Sequence, residues 1–486
     1  MSSDSLIRKE ADPVRQSAVM CGFLLLLLCL CASLGLGETR VLLASCHEFV
    51  SLPALGYEVS GNLQLLASAF SAAGISGNAL GVEDGTLYSL QSLEEVTRRF
   101  FSGVSEDDLS IIYLCTHGIR NGKTGEYRLI LSDGTLEESV PSAAVVTLFS
   151  SLPGETLLIL DACHSGCALR DVPADCPSFS LLASASETET AWYYRGDGVE
   201  SGSLSYFAST LCTGLGLYGL PEADSDADHR VCLNELYQYL LHALPSSTVQ
   251  LSSVQPEALY LPVSSESSYR RPLTDFSYGA QLVSRTSPVL SFSFTARRQT
   301  DILYRLIEYT DSGWNWAGAC TLAESAEDAG LSGRISRALS LDTDTFSGEY
   351  VILQVFSVEA DSVQLCSERL FGFCDSDQTE IPGFDLAGTV SEAGRGLTLR
   401  IASPRPAVLT LYSRNAGSRE TPLLSSFLLR PSVDGTNSVF LPFPGKQSLP
   451  AGITLRVEVR TGSRSSSHLL PLSKKLPEVI TEFNEI

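Results

Sequence analysis

The sequence predicts an α/β domain with a mostly parallel sheet flanked by helices over residues 38–265, followed by two all-β sandwiches over 266–375 and 376–486. Three observations carry this. The runs Ile111-Ile112-Tyr113-Leu114-Cys115-Thr116 and Leu157-Leu158-Ile159-Leu160 are apolar without interruption, rich in branched residues and bounded by turn signals, which suits strands buried on both faces. Segments with helical spacing alternate with such runs, as crossover connections between parallel strands require. Beyond the polar stretch Ser264-Ser265-Glu266-Ser267-Ser268 the period changes, and short alternating runs separated by Gly, Asp and Ser replace the helices.

In order, Arg40-Val41-Leu42-Leu43-Ala44-Ser45 is a first buried strand. A helix follows through Leu63, Leu66, Ala67 and Phe70, with Gly74 as its C-cap. Ser92, with Glu95 three residues on, reads as the capping box of a second helix that keeps Leu93, Val96 and Phe100 on one face. The strand ending at His117 comes next, then a turn-rich stretch holding Asp133-Gly134, a helix from Ala143 to Phe149 and the strand ending at Cys163. Phe179–Ser184 is another strand, Leu204–Leu215 and Leu233–Leu244 are helices, and Ala258-Leu259-Tyr260-Leu261 is the last strand. Downstream, Val289–Phe294 and Tyr350–Val355 belong to the first sandwich, and Leu397–Ile401, Val408–Tyr412 and Ile453–Val457 to the second, both read as immunoglobulin-like.

Ahead of the first strand, Met20–Gly37 holds six residues of unbroken Phe and Leu from Phe23 to Leu28 and ends in Gly35-Leu36-Gly37, the form of a signal peptide cleaved near Gly37. The stretch before it is long and of mixed charge, so the alternatives are a start at Met20 or a retained N-terminal anchor, the only membrane contact expected. The chain is therefore expected to be secreted or held at the cell surface. Net charge is −23, which excludes a nucleic-acid surface. From residue 381 onward Lys and Arg number 12 against 8 Asp and Glu, so the acidity lies upstream, where it attracts cationic substrates. Ten of 13 cysteines follow the leader with no paired zinc-like spacing. In an oxidising compartment many of them should pair, while a nucleophile must stay free.

The two apolar runs end on His117-Gly118 and on Asp161-Ala162-Cys163-His164-Ser165-Gly166. Ligands of open α/β sheets bind at the carboxyl ends of the strands, so a His and a Cys at neighbouring strand ends can face one substrate. A thiol attacks a carbonyl as thiolate, and an imidazole can take its proton and later deliver it to the leaving group. The main-chain amides of Gly118 and Cys163 are the candidate oxyanion donors. No cofactor is needed for this chemistry.

These residues resemble the caspase-like cysteine peptidases, most closely the metacaspase and clostripain-like branch, over about residues 38–265. The His precedes the Cys by 46 residues, near the roughly 50-residue offset of caspases. The resemblance implies that His117 is the general base and Cys163 the nucleophile, a dyad without a required third member. It places Asp161 at the base of the pocket for the residue before the scissile bond, with Ser184, Ala185 and Ser186 on the pocket wall. A buried carboxylate needs a cationic partner, so protein or peptide substrates with Arg or Lys at that position are expected. Relatives often carry an acidic residue in the first helix, where this chain has Gly61-Asn62-Leu63-Gln64. By the same likeness Arg170 and Arg195 are candidate self-processing sites.

Asp224, Asp226, Asp228 and Glu235 occupy positions one, three, five and twelve of an EF-hand-like loop, a candidate calcium site, but His229 stands where the turn wants Gly. His164 should point away from the nucleophile's face by strand alternation, and His47, His242 and His468 read as structural. Two other functions use the same residues differently: an adhesin or binding protein with an inactive or accessory peptidase domain, and a transpeptidase.

Overall fold

The computed structural model describes residues 37–55, 58–191, 205–245, 247–264, 272–310, 313–322, 331–341, 348–359, 362–374, 385–390, 396–403, 406–414, 421–430, 436–442, 454–461 and 464–471. The leader, Arg195 and the Ser265–Ser268 stretch lie outside them.

The chain enters β1 (Thr39–Ser45) and passes through α1 (Glu58–Ala72) to β2 (Leu80–Asp84). It returns through α2 (Leu90–Phe100) to β3 (Leu109–Cys115). Three short strands follow, β4 (His117–Arg120), β5 (Tyr127–Ser132) and β6 (Glu137–Pro141), then α3 (Ser142–Ser150) and β7 (Glu155–Asp161). The domain finishes with β8 (Phe179–Ala183), α4 (Tyr206–Gly214), β9 (Val231–Cys232), α5 (Leu233–Ala243), β10 (Gln250–Ser252) and β11 (Tyr260–Leu261). The main sheet has the order β10-β8-β7-β3-β1-β2, parallel throughout except for β10.

Strand alternation divides the apolar residues between two layers, which is why these runs carry no polar face. Val41, Leu43, Ile111, Tyr113, Leu157 and Ile159 pack under α1, α4 and α5. Leu42, Ala44, Ile112, Leu114, Leu158 and Leu160 pack under α2 and α3. Both layers are dry: Leu157, Leu158, Ile111 and Ile112 are all fully buried.

Four sequence expectations are corrected. The cap of α2 is Ser89, not Ser92: Ser89 Oγ accepts from Ser92 N at 3.1 Å and Ser92 Oγ accepts from Ser89 N at 3.0 Å. A serine serves as the third residue of the box as well as Glu95 would, so the helix starts earlier. The turn-rich stretch is a three-stranded antiparallel sheet of β4, β5 and β6, and Asp133-Gly134 makes its second turn, with Gly134 at φ +82°. The last strand of the main sheet is the short polar β10, while β11 pairs only with β9. Among the described residues no disulfide joins two cysteines. Cys46 and Cys167 lie in one layer, Cys115 and Cys212 in the other and Cys366 in the downstream core, where they serve as small apolar side chains.

The chain beyond residue 272 is all β among the described residues. Its longest strand, Val289–Thr310, pairs with Leu331–Ser340 along its first half and with Tyr350–Glu359 along its second. Leu290, Phe292 and Phe294 are buried while Ser291 and Ser293 are not, the alternation expected of a sheet packed on one face. A three-stranded and a four-stranded sheet follow between Asp385 and Pro471. Leu399, Ile401, Leu409 and Leu411 from these sheets join the apolar cluster of α4 and α5. Polar pins add to it: Gln354 Nε2 donates to Tyr206 Oη at 2.9 Å, and the Arg430 guanidinium donates to the Leu241 carbonyl at 2.7 Å.

Candidate active site

Strand pairing fixes the relation of the two motifs. In the parallel ladder of β3 and β7, Cys115 stands opposite Asp161, and Thr116 N donates to the Asp161 carbonyl at 3.3 Å. His117 lies two residues past Cys115 and Cys163 two past Asp161, so both leave adjacent strands at the same level, where paired strands run about 4.8 Å apart. The approach is close enough to require glycine between them. A Cβ on Gly118 would fall 2.1 Å from the Cys163 carbonyl oxygen and 2.2 Å from Tyr127 Oη, and Tyr127 Oη itself donates to that carbonyl at 2.9 Å. Gly118 is thus a packing requirement of the site, besides being a candidate oxyanion donor.

His117 opens β4, with its ring half-buried against Phe49, 4.5 Å between centroids. Its Nε2 lies 2.8 Å from the Pro53 carbonyl. A carbonyl can only accept, so Nε2 carries the proton and Nδ1 is the lone-pair nitrogen available as a base. The loop that carries Pro53 is fastened two and three residues upstream by Glu137, whose carboxylate accepts from Val50 N at 2.7 Å, from Ser51 N at 3.1 Å and from the Ser51 hydroxyl. Neither Pro53 nor Glu137 was legible as a site residue, because a carbonyl oxygen has no sequence signature and Glu137 lies 20 residues from the imidazole it serves.

Cys163 is half-buried, with Sγ 3.9 Å from the Ala191 carbonyl. Burial raises its pKa above the ordinary thiol value, the Ala191 contact opposes this, and the nearby Asp161 charge adds to it. Among the described residues the thiol and the imidazole hold main-chain carbonyls rather than each other, a looser arrangement common before substrate binds. His164 is not strand-like: its φ is +58°, its N–H donates to the Glu189 carbonyl at 2.8 Å, and its Nδ1 lies 3.1 Å from the Glu187 carbonyl. The left-handed turn, rather than strand alternation, sets its direction.

Asp161 is fully buried, and its Oδ2 accepts from Tyr113 Oη at 2.8 Å and Ser205 Oγ at 2.7 Å. Burial raises its pKa, while the Ser205, Tyr113 and Ser184 hydroxyls pull it back. Its other oxygen has no hydrogen bond of good geometry. Asn62 sits beside this group: its Oδ1 accepts from Ser205 N at 2.8 Å, and its buried amide nitrogen is unpartnered. The first-helix position of the resemblance therefore does reach the Asp161 neighbourhood, carrying an amide in place of an acid. Ser184, Ala185 and Ser186 are buried under the Cys163 loop. Ser184 Oγ accepts from Ala162 N at 3.2 Å, Ala185 exchanges hydrogen bonds with Ser165 and Gly166, and Ser186 N donates to Glu189. They brace the loop from beneath.

The remaining candidates stand apart. Arg170 is ion-paired with Glu187. Asp224, Asp226 and Glu235 bring one carboxylate oxygen each within 4.8 Å of one another, but Asp228 does not join them and instead accepts from Arg230 N at 2.8 Å. Main-chain amides already occupy these acids: Asp224 accepts from Asp228 N and His229 N, and Glu235 from Ser225 N and Cys232 N. His47 pairs with Asp84 at 3.2 Å, and His242 is half-buried; desolvation, with Arg369 and Arg430 nearby, pushes its pKa down to about 4. The side chain of His468 is outside the described residues.

No protein-family model and no curated protein sequence matches the chain. Among solved structures it is distantly similar to a secreted C11 cysteine protease from Bacteroides thetaiotaomicron in complex with an irreversible peptide inhibitor, at 13% identity and a TM-score of 0.22 over 32% of this chain. The match spans half the length of that protease. It is also distantly similar to the YadV chaperone, at 8% identity and TM-score 0.26 over 42% of this chain and all of that one. The periplasmic chaperone SfaE gives 14% identity and TM-score 0.22 over 39% of this chain and 97% of that one.

Proposed function

We propose that this chain is an exported cysteine endopeptidase that cleaves after Arg or Lys, with His117 and Cys163 as its catalytic dyad. The observation that carries this reading is the register: β3 and β7 release His117 and Cys163 side by side at the carboxyl edge of a parallel sheet, with Gly118 pressed on the Cys163 carbonyl. In the first step Nδ1 of His117 takes the thiol proton as Cys163 Sγ bonds to the scissile carbonyl carbon. The imidazolium then returns that proton to the leaving amine as the C–N bond breaks, leaving a thioester that water, deprotonated by the same nitrogen, hydrolyses. Pro53 keeps the ring in the tautomer this requires. The basic preference rests on Asp161, a buried carboxylate at the nucleophile's strand end with one oxygen unpartnered.

The test is hydrolysis of Arg-, Lys-, Asp- and Asn-terminated fluorogenic peptides by the full chain and by Cys163→Ala. Cleavage of the Arg and Lys peptides, lost in the variant, is expected. No cleavage of any of them, or equal cleavage by the variant, rejects the peptidase; cleavage of the Asp peptide alone rejects the role of Asp161.

A further inference from the structure

A charge taken out of water is costly unless a partner replaces its hydration, so a buried guanidinium with an idle N–H marks a place where a partner belongs. Arg430 is such a group. It is 5% exposed, and its backbone is fastened by Asn437, whose Oδ1 accepts from Arg430 N at 2.7 Å and whose Nδ2 donates to the Arg430 carbonyl at 2.9 Å. One nitrogen of the side chain is accounted for, since Nη2 donates to the Leu241 carbonyl at 2.7 Å and closes the last turn of α5. Nη1 is not: it is shielded from solvent and has no hydrogen-bond partner. Clamping a helix end explains the first contact and leaves the second nitrogen unexplained.

Arg430 lines a small cleft between α5, the strand Ser362–Cys374 and the strand Thr421–Leu428, together with His242, Gln281, Leu370 and Phe427. The Phe427 ring centroid lies 5.4 Å from the guanidinium carbon and 6.3 Å from the His242 ring, so both basic head groups border this space. Its volume is about 10 Å³, room for one water-sized sphere. That is too small for a sulfate, a phosphate or a carboxylate and suits a water molecule or a monoatomic ion.

The charges decide between those two. Arg430 has its pKa lowered to about 10 by burial, with Glu189 opposing the shift and Arg369 adding to it, and so is still protonated at neutral pH. His242, at about 4, is neutral there and offers a single ring N–H. Among the described residues Glu189 is the one carboxylate that acts on Arg369, Arg430 or His242, and its oxygens already accept from Ser186 N, Thr248 N and the Thr248 hydroxyl. Glu368, two residues before Leu370, is engaged by Gln354. Two guanidiniums against one carboxylate leave an excess of one positive charge, which a water molecule cannot cancel.

We infer that this cleft is a halide site, in which one chloride-sized anion accepts from Arg430 Nη1 and the His242 ring N–H and ties α5 to the all-β region. The inference is independent of the peptidase reading. The ion supplies the charge-assisted hydrogen bond that Arg430 lacks. Because it binds the assembled junction and not the unfolded chain, it stabilises by mass action.

The test is thermal unfolding of the full chain at neutral pH with sodium chloride raised from about 1 mM to about 0.3 M, ionic strength being held constant with sodium gluconate so that surface charges are screened equally. Tm should rise by about 3 °C for each tenfold increase in chloride beyond its dissociation constant. Bromide should replace chloride, and Arg430→Met should lose the response. A Tm indifferent to halide, or a response that persists in Arg430→Met, overturns the inference. If that variant fails to fold, a crystal of the unmodified chain grown in sodium bromide answers directly: anomalous scattering from bromine beside Arg430 Nη1 upholds the site, and water-like density there without it overturns the site.

Discussion

At the scale of single residues, the site depends on two states of protonation and one missing side chain. Burial holds the Cys163 thiol above its ordinary pKa, so the free protein keeps it protonated at neutral pH, and the proposed dyad then requires the imidazole to take its proton during attack. Alkylation of Cys163 by iodoacetamide without substrate should therefore keep climbing beyond about pH 8.5, the ordinary thiol value. A plateau below pH 7 would mean a resting thiolate instead. Gly118→Ala places a methyl group 2.1 Å from a carbonyl oxygen that cannot rotate away, so β4 and the Cys163 loop must separate. A shift of this size should cost about 10²-fold in kcat/KM, and full activity would show that the two loops are not held together as described. Asp161→Asn keeps the shape and removes the charge; it should abolish the preference for Arg over Asn peptides. The chemistry-bearing side chains were legible because each ends an apolar run. Pro53 was not, because it acts through its main chain.

Secondary-structure elements position these residues through register and loop staples. Apolar runs announced β1, β3, β7 and β8, since strands buried on both faces carry no polar positions. The edge strand β2 was missed: with Gly81, Glu83 and Asp84 in five residues it has no such run, and it is held by its ladder to β1. The small sheet of β4 to β6 was hidden for another reason. Its strands are four to six residues long and one face is wet, so turn signals dominate the sequence there. That sheet nonetheless carries His117 and, through Glu137, the loop that orients it. Glu137→Ala frees Val50 and Ser51 N–H groups and should loosen Pro53 from the imidazole, lowering kcat by about tenfold while leaving KM near its original value. An unchanged kcat would remove Pro53 from the mechanism.

Over the whole molecule, the all-β region supports the α/β domain. It shares an apolar cluster with α4 and α5 and pins them with Gln354 and Arg430, contacts that no local pattern in the sequence could announce. The polar groups at this junction give it a pH dependence of definite sign. Glu368, half-buried and bonded by Gln354 Nε2, has its pKa pushed up to about 8 by desolvation. Its folded value lies above its unfolded one, so its stabilising contribution is complete below about pH 4.5 and is lost as pH rises through about 8. His242, depressed to about 4, works the other way: its contribution is present above about pH 6.5 and is lost as pH falls toward 4. The Tm should therefore peak between about pH 4.5 and 6.5, and Glu368→Gln should remove the decline between about pH 6.5 and 8. A decline that persists in that variant would place its origin elsewhere. All three scales converge on one thiol. The most direct measurement is peptide mapping by mass spectrometry after incubating the full chain and His117→Ala with a Lys-containing acyloxymethyl ketone peptide. A single adduct on Cys163 that forms in the full chain and is lost in His117→Ala is the expected result. No adduct, an adduct on another of the cysteines, or equal labelling of His117→Ala would contradict a His117–Cys163 dyad.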